Sequence, residues 1–123
     1  MSHKILIIDD NELYRICVVK SLEHEGYQNI VTAHTGKDGI EKAKTEKPEL
    51  VILDVVLPDA NGLEVCHEIK SLKGLEQVKV VVITGYIDAA DIGKALTAGA
   101  DHFVSKAVDL SSLLKLVKKL LKG

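Results

Sequence analysis

The sequence predicts a doubly wound α/β domain, a parallel sheet covered by helices on both faces, and three observations lead there. Leu50-Val51-Ile52-Leu53 is an apolar run that stops abruptly at Asp54, between Pro48-Glu49 and a loop carrying Pro58, Asn61 and Gly62. A run of this kind reads as a strand buried on both faces, and such strands belong to parallel sheets. Lys4 to Asp9 and Val78 to Thr84 repeat the arrangement, apolar residues closed by a polar one. Between these runs lie stretches with apolar residues at helical spacing, so strands and helices alternate along the chain.

Size and composition agree with one such domain filling residues 1–123. The apolar share of 46% suits a globular core and argues against disorder. No apolar run approaches the roughly 20 residues of a membrane helix, and Met1-Ser2-His3-Lys4 runs straight into a strand. The expectation is therefore a cytoplasmic protein without membrane association. A net charge of −2 supplies no basic field for direct nucleic-acid binding. Cys17 and Cys66 lie in separate helical patterns and read as small buried hydrophobes. The five histidines show no ligand spacing.

In chain order, the first strand ends at Asp9 and Asp10, and Asp10 or Asn11 caps a helix running to about Glu25, with Gly26 beyond its end. On that helix Tyr14, Cys17, Val18, Ser21 and Leu22 form one arc, which is assigned to the core. Leu13 and Ile16, with Val19, fall on another arc; they are either scattered surface apolarity or a docking patch for a partner helix. A short strand from Asn29 to Ala33 precedes a helix from Lys37 to Thr45. After Asp54 a helix covers about Gly62 to Leu72, with Leu63, Val65, Cys66 and Ile69 as its apolar stripe. The strand Val78–Thr84, a helix Ala89–Ala98 ended by Gly99, and a strand Asp101–Ser105 closing at Lys106 follow. Asp109 caps the last helix, in which Leu113, Leu116, Val117 and Leu120 are expected to face inward. Leu114 and Leu121 lie off that stripe, a contact surface or ordinary exposure.

Right-handed crossovers leave few topologies for five such units. In the flavodoxin-like order 2-1-3-4-5, the strand of Asp54 lies between those of Asp9/Asp10 and Thr84, and ligands bind at the carboxyl ends of the strands. Neighbouring strands are about 4.8 Å apart, so both flanking groups come within side-chain reach; Lys106, two strands away at roughly 9–10 Å, needs its long stem. Three carboxylates about 5 Å apart repel by around 3 kcal/mol per pair at an effective dielectric near 20. A divalent cation removes that penalty, and oxygen-only ligands suit Mg2+. With the cation bound, Asp54 can act as a carboxylate nucleophile that receives a phosphoryl group, with Thr84 and Lys106 stabilising charge on the transferring oxygens.

These residues resemble the receiver domain of two-component response regulators over essentially the whole chain. The motifs are Ile8-Asp9-Asp10, Leu53-Asp54 with Pro58 and Gly62 downstream, Thr84-Gly85, and Gly99 through Lys106. The resemblance implies Asp54 as phosphoacceptor, Asp9, Asp10, Asp54 and the Val56 backbone carbonyl as Mg2+ ligands, Thr84 on a phosphoryl oxygen and Lys106 paired with the phosphate. It implies a sensor histidine kinase or histidine phosphotransfer protein as donor. It also implies a switch in which Thr84 moves inward and Phe103 turns, remodelling the surface of the fourth helix, fifth strand and fifth helix. A downstream protein partner or an output domain outside this chain would read that surface, and homodimerisation on phosphorylation is a further implied outcome.

Two positions depart from the family pattern. Phe103 replaces the commoner Tyr and has no hydroxyl to pin an inward rotamer. Lys106-Ala107 replaces a Lys-Pro pair that is usually cis; a cis non-proline bond costs about 3 kcal/mol, so a trans bond is expected. Asn11, Val56 and Tyr86 are expected around the pocket, the last two slowing hydrolysis of the acyl phosphate. A phosphohydrolase would typically carry a general acid/base Asp two residues after the nucleophile, where this chain has Val56. The reading is therefore of a module that phosphorylates itself from a donor and dephosphorylates slowly, not an enzyme turning over metabolites. The alternative is a phosphorylation-independent interaction domain of the same fold, which Phe103 and Ala107 keep open.

Overall fold

A computed structural model describes residues 3–85, 89–107 and 109–122, with 89–92 by backbone alone. The elements are β1 (Lys4–Ile8), α1 (Glu12–His24), β2 (Asn29–Ala33), α2 (Gly36–Glu46), β3 (Leu50–Asp54), α3 (Gly62–Lys70), β4 (Lys79–Thr84), α4 (Ala89–Thr97), β5 (His102–Ser105) and α5 (Leu110–Leu121). All four strand pairings are parallel and the order is β2-β1-β3-β4-β5, as the alternating pattern predicts.

Strand alternation divides the core in two. Leu6, Ile8, Val51, Leu53, Val80 and Val82 pack with Ala43, Val65, Cys66, Ile69 and Ala95, from α2, α3 and α4. Ile5, Ile7, Leu50, Ile52, Val81 and Ile83 pack on the other side with Val18 and Leu22 of α1 and Leu113, Val117 and Leu121 of α5. Every residue of β3 is buried, which is why its sequence is apolar without alternation. Each fully buried side chain of this size contributes about 1.5–3 kcal/mol relative to exposure.

Local signals set the helix ends. Asn11, rather than Asp10, caps α1, its side chain accepting from the Tyr14 N–H; Thr35, Asn61 and Asp109 do the same for α2, α3 and α5. Gly26 and Gly99 take φ of +99° and +97° just past α1 and α4, which a residue with a Cβ adopts only with strain.

Three expectations need correction. Cys17 is exposed, not core. Its side chain diverges by about 100° from that of Val18 and about 140° from that of Leu22, the α1 residues that reach the sheet. Leu121 is buried, because Leu113, Val117 and Leu121 form one i, i+4 row; Leu116 and Leu120, expected inward, are half-buried at its flank. Leu114, expected off the inward stripe, packs half-buried against the same core.

Strand β5 begins at His102 because the preceding residue pairs through its side chain as well as its backbone. The Asp101 N–H donates to the Val80 carbonyl at 2.8 Å, and the Val80 N–H donates back to the Asp101 carboxylate at 2.8 Å. Lys70, at the end of α3, reaches the same carboxylate at 2.9 Å and also donates to the Val78 carbonyl. Burial disfavours the charged Asp101, but the Lys70 and Val80 hydrogen bonds outweigh it and hold its carboxyl below the ordinary value. A depressed folded pKa means stability that is present above the unfolded value of about 3.9 and lost as pH falls through the folded value. Asp101→Ala is therefore expected to cost about 1–3 kcal/mol at pH 7, and the gap to the unmodified chain should narrow at pH 3. Urea unfolding at the two pH values measures it.

Candidate functional site

Register places the polar strand ends together. Ile8 pairs with Leu53 and Asp54 with Ile83, so Asp9 follows β1 beside Asp54 and Thr84 closes β4 one step further. Thr84 pairs with Ser105, and the Lys106 N–H donates to the Thr84 carbonyl at 2.7 Å. Alternation puts Asp9, Asp54 and Lys106 on the side of the sheet covered by α1 and α5. Thr84 shares the opposite side with Phe103, which packs half-buried against that core.

The lysine spans the sheet as its length allows. Its ammonium lies 2.9 Å from an Asp9 oxygen and 3.0 Å from an Asp54 oxygen, with only 19% of the side chain exposed. Asp9 and Asp54 are buried and Asp10 is exposed at the rim; one oxygen from each of the three lies within 4.8 Å of the others. Such a cluster can coordinate a divalent metal. Asp9 satisfies one oxygen with the Asn11 N–H at 2.8 Å. Its buried Oδ2 has the ammonium as ion-pair partner but no hydrogen bond, and it is the one such side-chain atom among the described residues. A buried oxygen left in this state is a ready donor to a hard cation, so the residues present fit the group the chemistry calls for.

Burial and the neighbouring charges act together on the groups of this cluster. Burial pushes the Asp54 carboxyl above its ordinary range and the Asp9 charge adds to this, against the Lys106 hydrogen bond and the Val56 N–H, 3.2 Å away. Burial works to lower the Lys106 ammonium, but the two carboxylates outweigh it and hold it above the usual lysine value.

The loop after Asp54 is held at both ends. The Gly62 N–H donates to the Val55 carbonyl at 2.6 Å, and a Cβ on Gly62 would lie 2.1 Å from the Asp54 carbonyl oxygen, so only glycine lets α3 start there. Asp59 reaches across to the start of α2, accepting from the Gly36 and Lys37 N–H groups at 2.7 and 3.0 Å. Val56, 68% exposed, stands at the mouth of the site. Leu13 and Ile16 are exposed on α1 at 76% and 42%. No cis peptide bond occurs among the described residues, so Lys106-Ala107 is trans. Tyr86 lies outside the described residues.

Two neighbours of the site escape sequence reasoning. Tyr14, assigned to the core arc, places its ring 4.6 Å from the Lys106 ammonium. Arg15 donates to the Asp9 carbonyl at 2.8 Å. The available signal was position: Tyr14 sits in the first turn of α1, where side chains point back towards the strand end.

Residues 5–118 match the family model described as the response regulator receiver domain. The response regulator protein VraR of Staphylococcus epidermidis is 35% identical over 124 aligned residues, taking in 100% of this chain and 58% of that protein. This chain thus spans little more than half the length of the curated relatives it matches. A CheY-like receiver domain from Methanospirillum hungatei superposes with a TM-score of 0.90 at 32% identity, covering 98% of this chain and 94% of that one. A Burkholderia pseudomallei response regulator, solved with a phosphorylated aspartic acid, a calcium ion and citrate, superposes at 0.83 with 28% identity over 92% of this chain and 65% of its own. Among the described residues no helix is long and apolar enough to cross a membrane.

Gly62→Ala should cost about 1–3 kcal/mol, the usual penalty of overpacking, read as a lower urea midpoint. A divalent cation at ten times its dissociation constant should raise the unfolding free energy by about 1.4 kcal/mol, and Asp9→Asn should abolish most of that gain at the same concentration in the same titration.

Proposed function

The chain belongs to the response regulator receiver family, and on that premise we propose that Asp54 accepts a phosphoryl group from a phosphohistidine in a Mg2+-dependent reaction. The observation that carries this reading is the meeting of Lys106 with Asp9 and Asp54 inside a three-carboxylate cluster. An Asp54 oxygen forms the new P–O bond as the donor's P–N bond breaks, and the electron pair leaves on the imidazole nitrogen, which takes up a proton. Lys106 turns from the Asp54 carboxylate to an oxygen of the incoming group, and the Thr84 hydroxyl donates to another. Asp9, Asp10, Asp54 and the Val56 carbonyl would hold Mg2+, whose charge offsets that of the carboxylates and the phosphoryl oxygens. The phosphorylated aspartate in the Burkholderia relative supports the chemistry.

The donor in this reading is a sensor histidine kinase or histidine phosphotransfer protein, with Leu13 and Ile16 beside the site as part of its docking surface. Val56 in place of an acid leaves no general base two residues on, so the phosphoryl group leaves slowly and the domain works as a cytoplasmic signalling module rather than a turnover enzyme. The readout surface is α4, β5 and α5, through Thr84 and Phe103 on one side of the sheet. A downstream protein, an attached output domain or a second copy of the chain would recognise it.

Labelling with a small acyl phosphate tests the phosphoacceptor directly. Covalent phosphate should appear only with Mg2+, vanish in Asp54→Ala and form at least about tenfold more slowly in Lys106→Ala; labelling that survives in Asp54→Ala would overturn the assignment. For the switch, the Phe103 ring resonances should shift on phosphorylation, and identical spectra in both states would favour a phosphorylation-independent interaction domain.

A further inference from the structure

We propose that Tyr14 is a positioning residue of this site, its ring forming the wall that keeps the Lys106 ammonium against Asp9 and Asp54. Lys106 arrives from the end of β5 on a flexible four-carbon stem with several open rotamers. Two carboxylates hold its tip at 2.9 and 3.0 Å, and the Tyr14 ring centroid lies 4.6 Å away. That separation is within the range at which an aromatic face attracts a cation.

The ring is there because α1 starts where it does. Asn11 accepts from the Tyr14 N–H at 2.9 Å while its own N–H bonds Asp9, and the Arg15 guanidinium donates to the Asp9 carbonyl. The first turn of α1 is thus fastened to the same aspartate that Lys106 meets, and its side chains point back over the strand end. Alternation brings Asp9, Asp54 and Lys106 to the α1 side of the sheet, where the half-buried ring packs beside the core. A ring contact does not depend on which anion the ammonium serves. It therefore persists while Lys106 exchanges a carboxylate for a phosphoryl oxygen, and it keeps the tip from drifting into solvent.

The kinetic part of the test rests on the phosphoacceptor reading, and the spectroscopic part does not. The ε-methylene protons of Lys106 should show an upfield ring-current shift in the unmodified chain and in Tyr14→Phe, and lose it in Tyr14→Leu. At saturating acyl phosphate and Mg2+, Tyr14→Leu should lower the phosphorylation rate about fivefold, equivalent to roughly 1 kcal/mol, with Mg2+ affinity unchanged. Tyr14→Phe should restore the rate. In a Lys106→Ala background Tyr14→Leu should have no further effect. An unshifted Lys106 signal, an unchanged rate in Tyr14→Leu, or an equal loss in the Lys106→Ala background would overturn the proposal. If the unmodified chain accepts no phosphoryl group, the phosphoacceptor reading fails and the ring-current shift alone decides whether the contact exists.

Discussion

One ammonium group shared by two buried carboxylates is the constraint around which this site is built. Lys106 neutralises part of the charge on Asp9 and Asp54, and Asp10 adds a third carboxylate at the rim. One ammonium does not balance three carboxylates, and burial first, with the Asp9 charge adding to it, raises the Asp54 carboxyl. Burial that destabilises the charged form makes the site receptive to a cation. The core must supply the difference, and the apolar residues of β1, β3 and β4 beneath the cluster, buried on both faces, do so.

The sheet makes that cluster possible through order and parity. Placing β1 and β4 on either side of β3 brings three strand ends into contact, and the crossover arrangement opens a crevice at their carboxyl ends. Parity then sorts the polar residues. Asp9, Asp54 and Lys106 gather under α1, whereas Thr84 and Phe103 lie towards the α2 and α3 side. The two sets meet at the tip of β4, where the Lys106 N–H donates to the Thr84 carbonyl.

The loop between β3 and α3 is held by different means. Gly62 allows backbone to approach backbone, and Asp59 ties the loop to the first turn of α2. Both restrict where Asp54 and Val56 can stand. On the far side, Lys70 and Asp101 anchor the start of β5, the strand that delivers Lys106. The reach of a long side chain is useful only when its origin is fixed.

Much of this was legible in the residue order. Asp9, Asp54 and Thr84 each end an apolar run and Lys106 closes the last predicted strand, and a doubly wound sheet brings the ends of such strands to one edge, so periodicity sufficed for the fold and for most of the site. What remained hidden depends on angles between elements. Cys17 and Leu121 were misplaced because a helical arc is wider than the row of residues that touches the sheet, and only the docking angle selects the row. The ring of Tyr14 over Lys106 and the span of Asp59 to α2 join residues 92 and 22–23 positions apart in the chain. No local pattern encodes such contacts; they arise when the helices pack, which makes them properties of the tertiary structure alone.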